Sequence, residues 1–308
     1  MYFALLDLEN HDLALKELSI YTKIKTFKRN FCLTDKINYK YFAYTKYYGP
    51  YLGKYNMNSL LEFLSKKEKL SLKVYSEFDK TKKKEVIKPV YDELKEKFDY
   101  KTGEKFLIFL DKKENFFLGK IRWERESFKN REPKNRPFNR PFTLKPKFAR
   151  SLVNLANKRL IVDPFAGTGT ILIEAYFTKR DYFGLERDWK IIKGCYKNLD
   201  FFGLKRKVVL SDALYIDKIL CKLRDFAIVT DLPYGKSSSL FGKELLNLYE
   251  EFLEKLMKIM VSKAVVVLKE GEESKFLEKK YKEFIEFSSS FFVNSNLTRK
   301  ILLFNFTV

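Results

Sequence analysis

The alternation of apolar and polar positions predicts short strands and helices in the first part of the chain. Leu70–Phe78 alternates as a half-buried strand does, and Tyr2–Leu6 is an apolar run of strand length. The apolar runs Phe106–Leu110 and Phe116–Trp123 flank a polar turn, which predicts two neighbouring strands. Two helices are predicted from apolar residues at helical spacing, Asp12–Ile20 and Lys84–Phe98. The pattern suits an α+β region whose sheet buries one face.

The later part of the chain predicts a different order, in which strands are followed by helices. Its apolar runs predict five buried strands, Arg159–Val162, Tyr182–Leu185, Lys207–Leu210, Phe226–Thr230 and Ala264–Leu268. Helices are predicted after the first two strands, at Ile171–Thr178 and Trp189–Phe202. This order is typical of an α/β fold with a parallel sheet. The last two runs, Phe287–Val293 and Arg299–Phe306, predict an antiparallel hairpin at its end.

A basic segment that is rich in proline separates the two parts. Lys120–Arg150 contains eleven Lys and Arg residues, three Glu residues and four of the eight prolines of the chain. Because proline fixes φ and removes a backbone donor, this segment is predicted to be an ordered connection without regular structure. We therefore predict an N-terminal domain over residues 1–125, a basic linker over 126–150 and an α/β domain over 151–308.

Composition and charge narrow the classes of partner and of chemistry. The 308 residues carry a formal net charge of +21, which favours a polyanion such as nucleic acid as the partner, ahead of an anionic membrane. The apolar runs are too short to cross a bilayer and Met1–Leu6 lacks a cationic start, so a cytoplasmic protein without membrane segments is expected. Three widely spaced cysteines and a single histidine, His11, argue against a metal site, a disulfide framework and histidine catalysis.

The first chemical motif is the string Asp163-Pro164-Phe165-Ala166-Gly167-Thr168-Gly169-Thr170, between a predicted strand and a predicted helix. Gly167 and Gly169 can adopt positive φ and have no Cβ, so a ligand can lie against the backbone there. The spacing differs from a dinucleotide fingerprint, and no phosphate-loop lysine follows. The candidate cofactor-binding residues of this loop are Asp163, Phe165, Ala166, Gly167, Thr168, Gly169 and Thr170.

Two further acidic positions follow the next two predicted strands. Glu186 comes about 20 residues after the glycine loop, where a carboxylate can accept hydrogen bonds from both hydroxyls of a ribose. Asp188 is better explained as the N-cap of the following helix. Asp212, with Ala213 beside it, is placed to accept a hydrogen bond from an adenine amino group. These residues together predict a nucleoside-binding site.

The fourth motif, Asp231-Leu232-Pro233-Tyr234, resembles the D/N-P-P-Y signature of methyltransferases that modify exocyclic amines of bases. The lone pair of such an amine is delocalised into the ring, so acceptors that hold its N–H bonds are needed to turn the lone pair toward the methyl group. Asp231 and the carbonyl of Leu232 are the predicted acceptors, and Tyr234 would stack on a base withdrawn from its helix. Leucine replaces the usual first proline, which keeps the carbonyl but removes local rigidity.

Taken over nearly its whole length, the chain resembles the archaeal and eukaryotic tRNA guanosine-10 N2-methyltransferase family. The segments that carry this resemblance, besides the motifs above, are Arg131–Phe138, Lys145–Arg150, Tyr41–Thr45 and Leu297–Arg299. The resemblance implies a ferredoxin-like lobe and a THUMP RNA-binding domain, followed by a Rossmann-like methyltransferase domain. It also implies that Asp163, Glu186 and Asp212 bind S-adenosylmethionine, and that Asp231 and Tyr234 hold the guanine.

The resemblance further implies tRNA as the substrate and, in some organisms, a small zinc-binding activator subunit as a partner. The basic residues predicted to contact RNA are Lys120, Arg122, Arg131, Arg136, Arg140, Lys145, Lys147 and Arg299. In similar enzymes Glu174 belongs to the same string as the glycine-loop motif that begins at Asp163. A structural role on its helix explains Glu174 equally well. Three alternatives stay open: another tRNA position, an adenine or cytosine amine of DNA or rRNA, and an RNA-binding protein whose methyltransferase domain is vestigial.

Overall fold

The computed structural model describes residues 1–141, 143–221, 223–235, 243–259 and 261–307. The chain divides into two compact units, Met1–Glu126 and Ser127–Val308. Within the described ranges, the helices lack the combination of length and apolarity that a membrane crossing needs.

The first unit is built on one sheet of eight strands in the order β2-β3-β1-β4-β7-β6-β5, with β8 paired to β4. Its strands are β1 Tyr2–Leu6, β2 Ile24–Lys28, β3 Phe31–Thr34, β4 Thr45–Tyr55, β5 Leu70–Ser76, β6 Glu104–Leu110, β7 Phe116–Lys120 and β8 Trp123–Glu124. Its helices are α1 His11–Ser19, α2 Met57–Ser65 and α3 Lys80–Glu93. The two parallel neighbours are β5 and β6, and the other pairs are antiparallel.

The predicted elements of this unit are present, although their bounds differ. Helix α3 begins at Lys80, four residues before the predicted start, because Asp79 accepts hydrogen bonds from the backbone N–H groups of Thr81 and Lys82. The prediction of a sheet with one buried face is wrong at β6. Phe106 packs in one apolar cluster and Phe109 in another, so alternate residues of this strand are buried on opposite faces.

A buried carboxylate fixes the segment Tyr41–Thr45, which has no helical or strand pattern before Thr45. Glu17 of α1 is fully buried and accepts hydrogen bonds from the backbone N–H groups of Ala43 and Tyr44, both at 2.8 Å. These charge-assisted bonds satisfy donors that would otherwise be buried without a partner.

The second unit contains a seven-stranded sheet in the order β11-β10-β9-β12-β13-β15-β14. Its strands are β9 Leu160–Asp163, β10 Asp181–Glu186, β11 Val208–Leu210, β12 Phe226–Asp231, β13 Lys263–Lys269, β14 Ile285–Asn294 and β15 Leu297–Asn305. Its helices are α4 Pro146–Ala156, α5 Thr170–Phe177, α6 Trp189–Phe201, α7 Ile216–Leu220, α8 Lys243–Lys258 and α9 Glu272–Lys280. The first five strands of the order are parallel and the last two complete it as an antiparallel hairpin, which confirms the predicted fold class.

The strand order changes direction between β9 and β12. From β9 the chain proceeds through β10 to β11 at one edge, and then returns to β12 on the other side of β9. In sheets of this kind, ligands bind in the crevice outside the carboxyl ends of the strands at such a switch point. The glycine loop after β9 and the Asp231 motif after β12 therefore meet at the same edge.

The segment predicted as a linker is folded into the second unit. Arg131 is buried and its Nε donates to Glu174 of α5 at 2.8 Å. The ring of Phe138 packs against Gly194 of α6, in the space that a Cβ there would occupy. The Asn198 side chain of α6 accepts a hydrogen bond from the backbone N–H of Phe138 and donates one to its carbonyl. The basic, proline-rich composition of this segment predicted a connection between domains. Composition alone does not show that Arg131 has a buried acidic partner, Glu174.

Candidate active site

The glycine loop needs glycine at two of its positions. Gly167 has a φ of +52° and Gly169 a φ of +83°, values that residues with a Cβ rarely adopt. At Gly169 a Cβ would also lie 2.8 Å from the Sγ of Cys195, which is closer than two such atoms pack. The backbone thus turns sharply between Asp163 at the end of β9 and Thr170 at the start of α5.

Asp163 connects the two central strands at this turn. Its buried carboxylate accepts a hydrogen bond from the Thr230 hydroxyl of β12 at 2.7 Å and another from the backbone N–H of Phe165 at 3.1 Å. Burial raises the pKa of Asp163 to about 7, and the negative charges of Asp231 and Glu186 add to that rise while the two hydrogen bonds oppose it. The carboxyl groups of Asp231 and Glu186 thus lie near enough to Asp163 to affect its ionisation.

The acidic residues after β10 and β11 are at the predicted strand ends. Glu186 accepts from the backbone N–H groups of Gly167 at 3.0 Å and Asp188 at 2.9 Å, which ties its carboxylate to the glycine loop. Asp188 is the N-cap of α6, as expected, and accepts from the N–H of Lys190 at 2.7 Å. Asp212 accepts from the N–H of Leu214 at 2.9 Å and begins a short 3-10 turn.

Asp231 ends β12 and belongs to a polar group of three side chains, in which Arg299 is buried and Asp231 and Tyr234 are half-buried. The Tyr234 hydroxyl donates to Oδ1 of Asp231 and accepts a 2.8 Å hydrogen bond from Nε of Arg299. A second nitrogen of Arg299 lies 3.7 Å from Oδ2 of Asp231. Burial raises the pKa of Asp231 to about 6, and Arg299 and the Tyr234 hydroxyl oppose that rise. The carboxylate is therefore largely ionised at neutral pH.

The leucine that replaces a proline in this motif is held by packing. Leu232 is 1% exposed within the apolar core, and its N–H donates to the carbonyl of Val267 in β13 at 2.8 Å. The next carbonyl, of Pro233, accepts from the buried Tyr249 hydroxyl of α8 at 2.5 Å. Core packing and two hydrogen bonds therefore restrain the backbone where the sequence suggested a loss of rigidity.

The glycine loop and Asp231 open on one cavity of about 370 Å³. Its walls are formed by Arg140, Pro141, Thr143, Leu144, Asp163, Phe165, Ala166, Gly167, Thr168, Thr170, Ile171, Asp188, Ile191 and Asp231. Most of the predicted loop residues are thus brought together with Asp231. The predicted residues that lie outside this wall are Gly169, Glu186, Asp212, Ala213, Leu232, Pro233 and Tyr234.

Sequence reasoning missed the part of the wall at Pro141, Thr143 and Leu144. These residues lie in the segment predicted as a linker, and they have no periodic pattern that would assign them to a site. The available signal was the high proline content, which indicated an ordered backbone but not where it lies.

The prediction of RNA contacts is wrong for three arginines. Arg131, Arg136 and Arg299 are at most 7% exposed, and each is bonded inside the second unit, so their guanidinium groups are not available to a phosphate backbone. Lys120 is bonded to Glu104 within the first unit. The exposed residues Arg122, Arg140 and Lys145, and the half-buried Lys147, stay predicted contacts.

A family model described as "RMKL-like, methyltransferase domain" matches residues 133–301, which is more than half of the chain. The chain belongs to this family. A model described as "DNA methylase" matches residues 14–197, a range that ends before Asp212 and Asp231.

The curated relatives confirm the resemblance stated from the sequence motifs. A tRNA (guanine(10)-N2)-dimethyltransferase of Methanothermobacter thermautotrophicus is 40% identical over 136 residues, which cover 42% of this chain and 39% of the relative. The protein of the same name from Methanocaldococcus jannaschii is 34% identical over 174 residues, 53% of this chain and 48% of the relative. The chain thus spans less than half the length of these relatives.

The solved structures support the fold. TrmN from Thermus thermophilus superimposes with a TM-score of 0.55 and 16% identity over 99% of both chains. A methyltransferase named SMU.472, complexed with SAH, gives a TM-score of 0.51 and 13% identity over 99% of this chain and 97% of the other. At these identities the likeness shows a shared fold and no more.

Proposed function

We propose that this protein transfers a methyl group from S-adenosylmethionine to the exocyclic N2 of a guanosine in tRNA, at position 10. The observation that carries the proposal is that the glycine loop and the Asp231 carboxylate line the same cavity. Because β9 and β12 are neighbours in the sheet, a ligand against the loop lies beside the carboxylate that would hold the amine.

The residues of the cavity fit S-adenosylmethionine. Gly167 lines the wall with a positive φ and no side chain, and the volume is within the range of small-molecule sites. Asp163, on the wall, would face the charged end of the cofactor. Glu186 and Asp212, which lie outside the described wall at the next strand ends, would hold the ribose hydroxyls and the adenine amine. When bound, S-adenosylmethionine supplies a methyl group on a positively charged sulfur.

Asp231 and the backbone of Leu232 would prepare the amine. Each would accept one N–H bond of guanine N2, which turns the nitrogen lone pair out of conjugation with the ring. Asp231 is ionised above a pKa of about 6, so at neutral pH it can accept this hydrogen bond and afterwards the proton that N2 loses. The ring of Tyr234 would stack on the guanine.

The choice of tRNA rests on the relatives and on charge. Relatives at 34–40% identity are named tRNA (guanine(10)-N2)-dimethyltransferases, and the net charge of +21 suits a polyanion. In this proposal the first unit is the ferredoxin-like lobe and THUMP domain that binds tRNA, the exposed Arg122, Arg140 and Lys145 contact phosphates, and the protein works in the cytoplasm.

The test is methyl transfer from labelled S-adenosylmethionine to an unmodified tRNA transcript, followed by nucleoside digestion and mass analysis. A matched transcript with adenosine at position 10 is the control. We expect N2-methylguanosine, or its dimethyl form, from the first transcript and none from the second. Product from both transcripts would place the target elsewhere in tRNA. Methyladenine in a parallel DNA or rRNA reaction would favour the competing amine specificity, and absence of any product despite RNA binding would contradict the proposal.

A further inference from the structure

The last hairpin of the sheet contributes an arginine to the Asp231 site. Arg299 lies near the start of β15, paired with Lys269 of β13 on one side and Phe291 of β14 on the other. Arg299 is only 3% exposed. It comes 68 positions after Asp231 in the chain. An arginine buried this deeply needs acceptors, and its partners include the Tyr234 hydroxyl at 2.8 Å and the Asp231 carboxylate at 3.7 Å.

Two aromatic rings lie near the guanidinium group of Arg299. Its central carbon lies 5.8 Å from the ring centre of Phe148 and 5.8 Å from that of Tyr234. Phe148 in turn packs on Phe291 of β14, with ring centres 4.5 Å apart. A cation near aromatic rings is favourable, and a lysine could restore the charge there but not the planar guanidinium group.

The order of donors along this group assigns the Tyr234 proton. Nε of Arg299 carries a hydrogen and can only donate, so the Tyr234 hydroxyl accepts from it and its own proton points to Oδ1 of Asp231. Oδ1 thus accepts from Tyr234, and Oδ2 is the oxygen 3.7 Å from the second nitrogen of Arg299. The side chain of Asp231 is 18% exposed and lines the cavity, so a ligand there can reach its carboxylate.

We propose that Arg299 is a positioning residue of the methyl transfer, which orients Asp231 through Tyr234 and keeps its carboxylate ionised to accept the amine proton. This inference rests on the proposed function. In the transfer the N2 lone pair forms the new bond to the methyl carbon, the sulfur–methyl bond breaks with its electrons staying on sulfur, and the N2 proton forms an O–H bond on Asp231. Once Asp231 is protonated, the positive charge of Arg299 has lost its counter-charge there. This favours release of the proton to water, which restores the carboxylate.

The charged and titratable groups around Asp231 support this assignment. Asp163 of β9, whose pKa is raised to about 7, is only partly ionised at neutral pH, and burial raises the pKa of Tyr234 and of Tyr249 of α8, which stay uncharged. Arg299 is the cation that opposes the effect of burial on Asp231. Removing Arg299 therefore leaves the Asp231 carboxylate without this counter-charge, and the pKa of Asp231 must rise.

The experiment is a titration of the aspartate carboxyl carbons by NMR in the full chain, for the wild type, Arg299→Met and Arg299→Lys. Asp231→Asn identifies the Asp231 signal. We expect the pKa of Asp231 to rise by one unit or more in Arg299→Met and by less in Arg299→Lys. The cofactor affinity should stay within about threefold in both, because Arg299 lies behind Asp231 and not on the described cavity wall.

The outcomes separate this inference from the proposed function. A folded Arg299→Met protein with an unmoved Asp231 titration would overturn the positioning role and leave Arg299 as packing. If Arg299→Met does not fold, Arg299→Lys decides alone: a raised pKa supports the inference and an unchanged pKa overturns it. If the wild type transfers no methyl group to tRNA, the proposed function fails while the titration still reports on Arg299. If it does, the acid limb of the single-turnover rate must move with the Asp231 pKa.

Discussion

Two buried groups in the second unit combine arginine with a carboxylate, and they differ in access to solvent. Glu174 of α5 is enclosed between Arg131 at 2.8 Å and Arg150 at 2.9 Å, and no part of its side chain is exposed. Asp231 faces Tyr234 and Arg299 on one side and the cavity on the other, with 18% of its side chain exposed. The same residue types thus stabilise the fold in one place and offer an acceptor in the other, and the difference is the open face of Asp231.

Replacement of Asp231 with Asn should have the largest effect on activity. The amide keeps the size of the side chain but loses the charge and the ability to take up a proton, so we expect methyl transfer to fall by about 10²–10⁴-fold. Single-turnover rates with labelled S-adenosylmethionine measure this, and calorimetry should show cofactor binding retained. A rate within about threefold of wild type would remove Asp231 from the mechanism.

Replacement of Glu174 with Gln should have the largest effect on stability. It leaves Arg131 and Arg150 buried without their counter-charge, and breaking such a pair costs about 3–5 kcal/mol. Denaturant unfolding of the full chain measures the loss. Glu62→Gln is the matched control, because Glu62 forms an exposed ion pair with Lys66 and its unfolding transition should not move. An unfolding curve for Glu174→Gln that matches this control would contradict the structural role.

Glu186 is intermediate between the two cases, since it bonds the glycine loop and lies where a ribose is expected. Replacement with Ala removes acceptors for the Gly167 N–H and for the ligand, so we expect cofactor affinity to fall about tenfold to a hundredfold. Calorimetric titration measures it. Asp188→Ala, which removes a helix cap beside it, should weaken binding much less, and the reverse order of the two variants would assign the ribose to Asp188.

The smallest expected effect is on the pH dependence of the rate. Asp231 accepts as a carboxylate, and its pKa is raised to about 6 by burial, so the active form is lost as the pH falls through that value. Between pH 7 and pH 5 the single-turnover rate should decrease about tenfold. The residual rate of Asp231→Asn should not show this limb, whereas Glu174→Gln should keep it. A limb that persists in Asp231→Asn belongs to another group.

The reach of sequence reasoning differs between the loop and the residues around it. The string Asp163–Thr170 predicts a sharp turn with two glycines at positive φ, because few other residues can adopt that conformation. Both glycines adopt it. Glu186 and Asp212 are predicted for a similar local reason, as acids at the ends of parallel strands, and their role in binding stays a prediction. Arg131 and Arg136 were assigned to RNA because charge alone favours the surface, whereas the positions of Glu174 and Thr170 decide that both are buried.

The sequence alone determined the succession of strands and helices, the parallel sheet with its final hairpin, and the edge at which the motifs meet. Those features depend on local spacing and on the chirality of strand connections, both of which can be obtained from the order of residues. Only the tertiary structure decided that Leu144 lines the cavity, that Leu232 is anchored in the core and that Arg299 lies beside Asp231. Each of these depends on a contact between segments far apart in the chain, where packing and desolvation, rather than local pattern, select the partner.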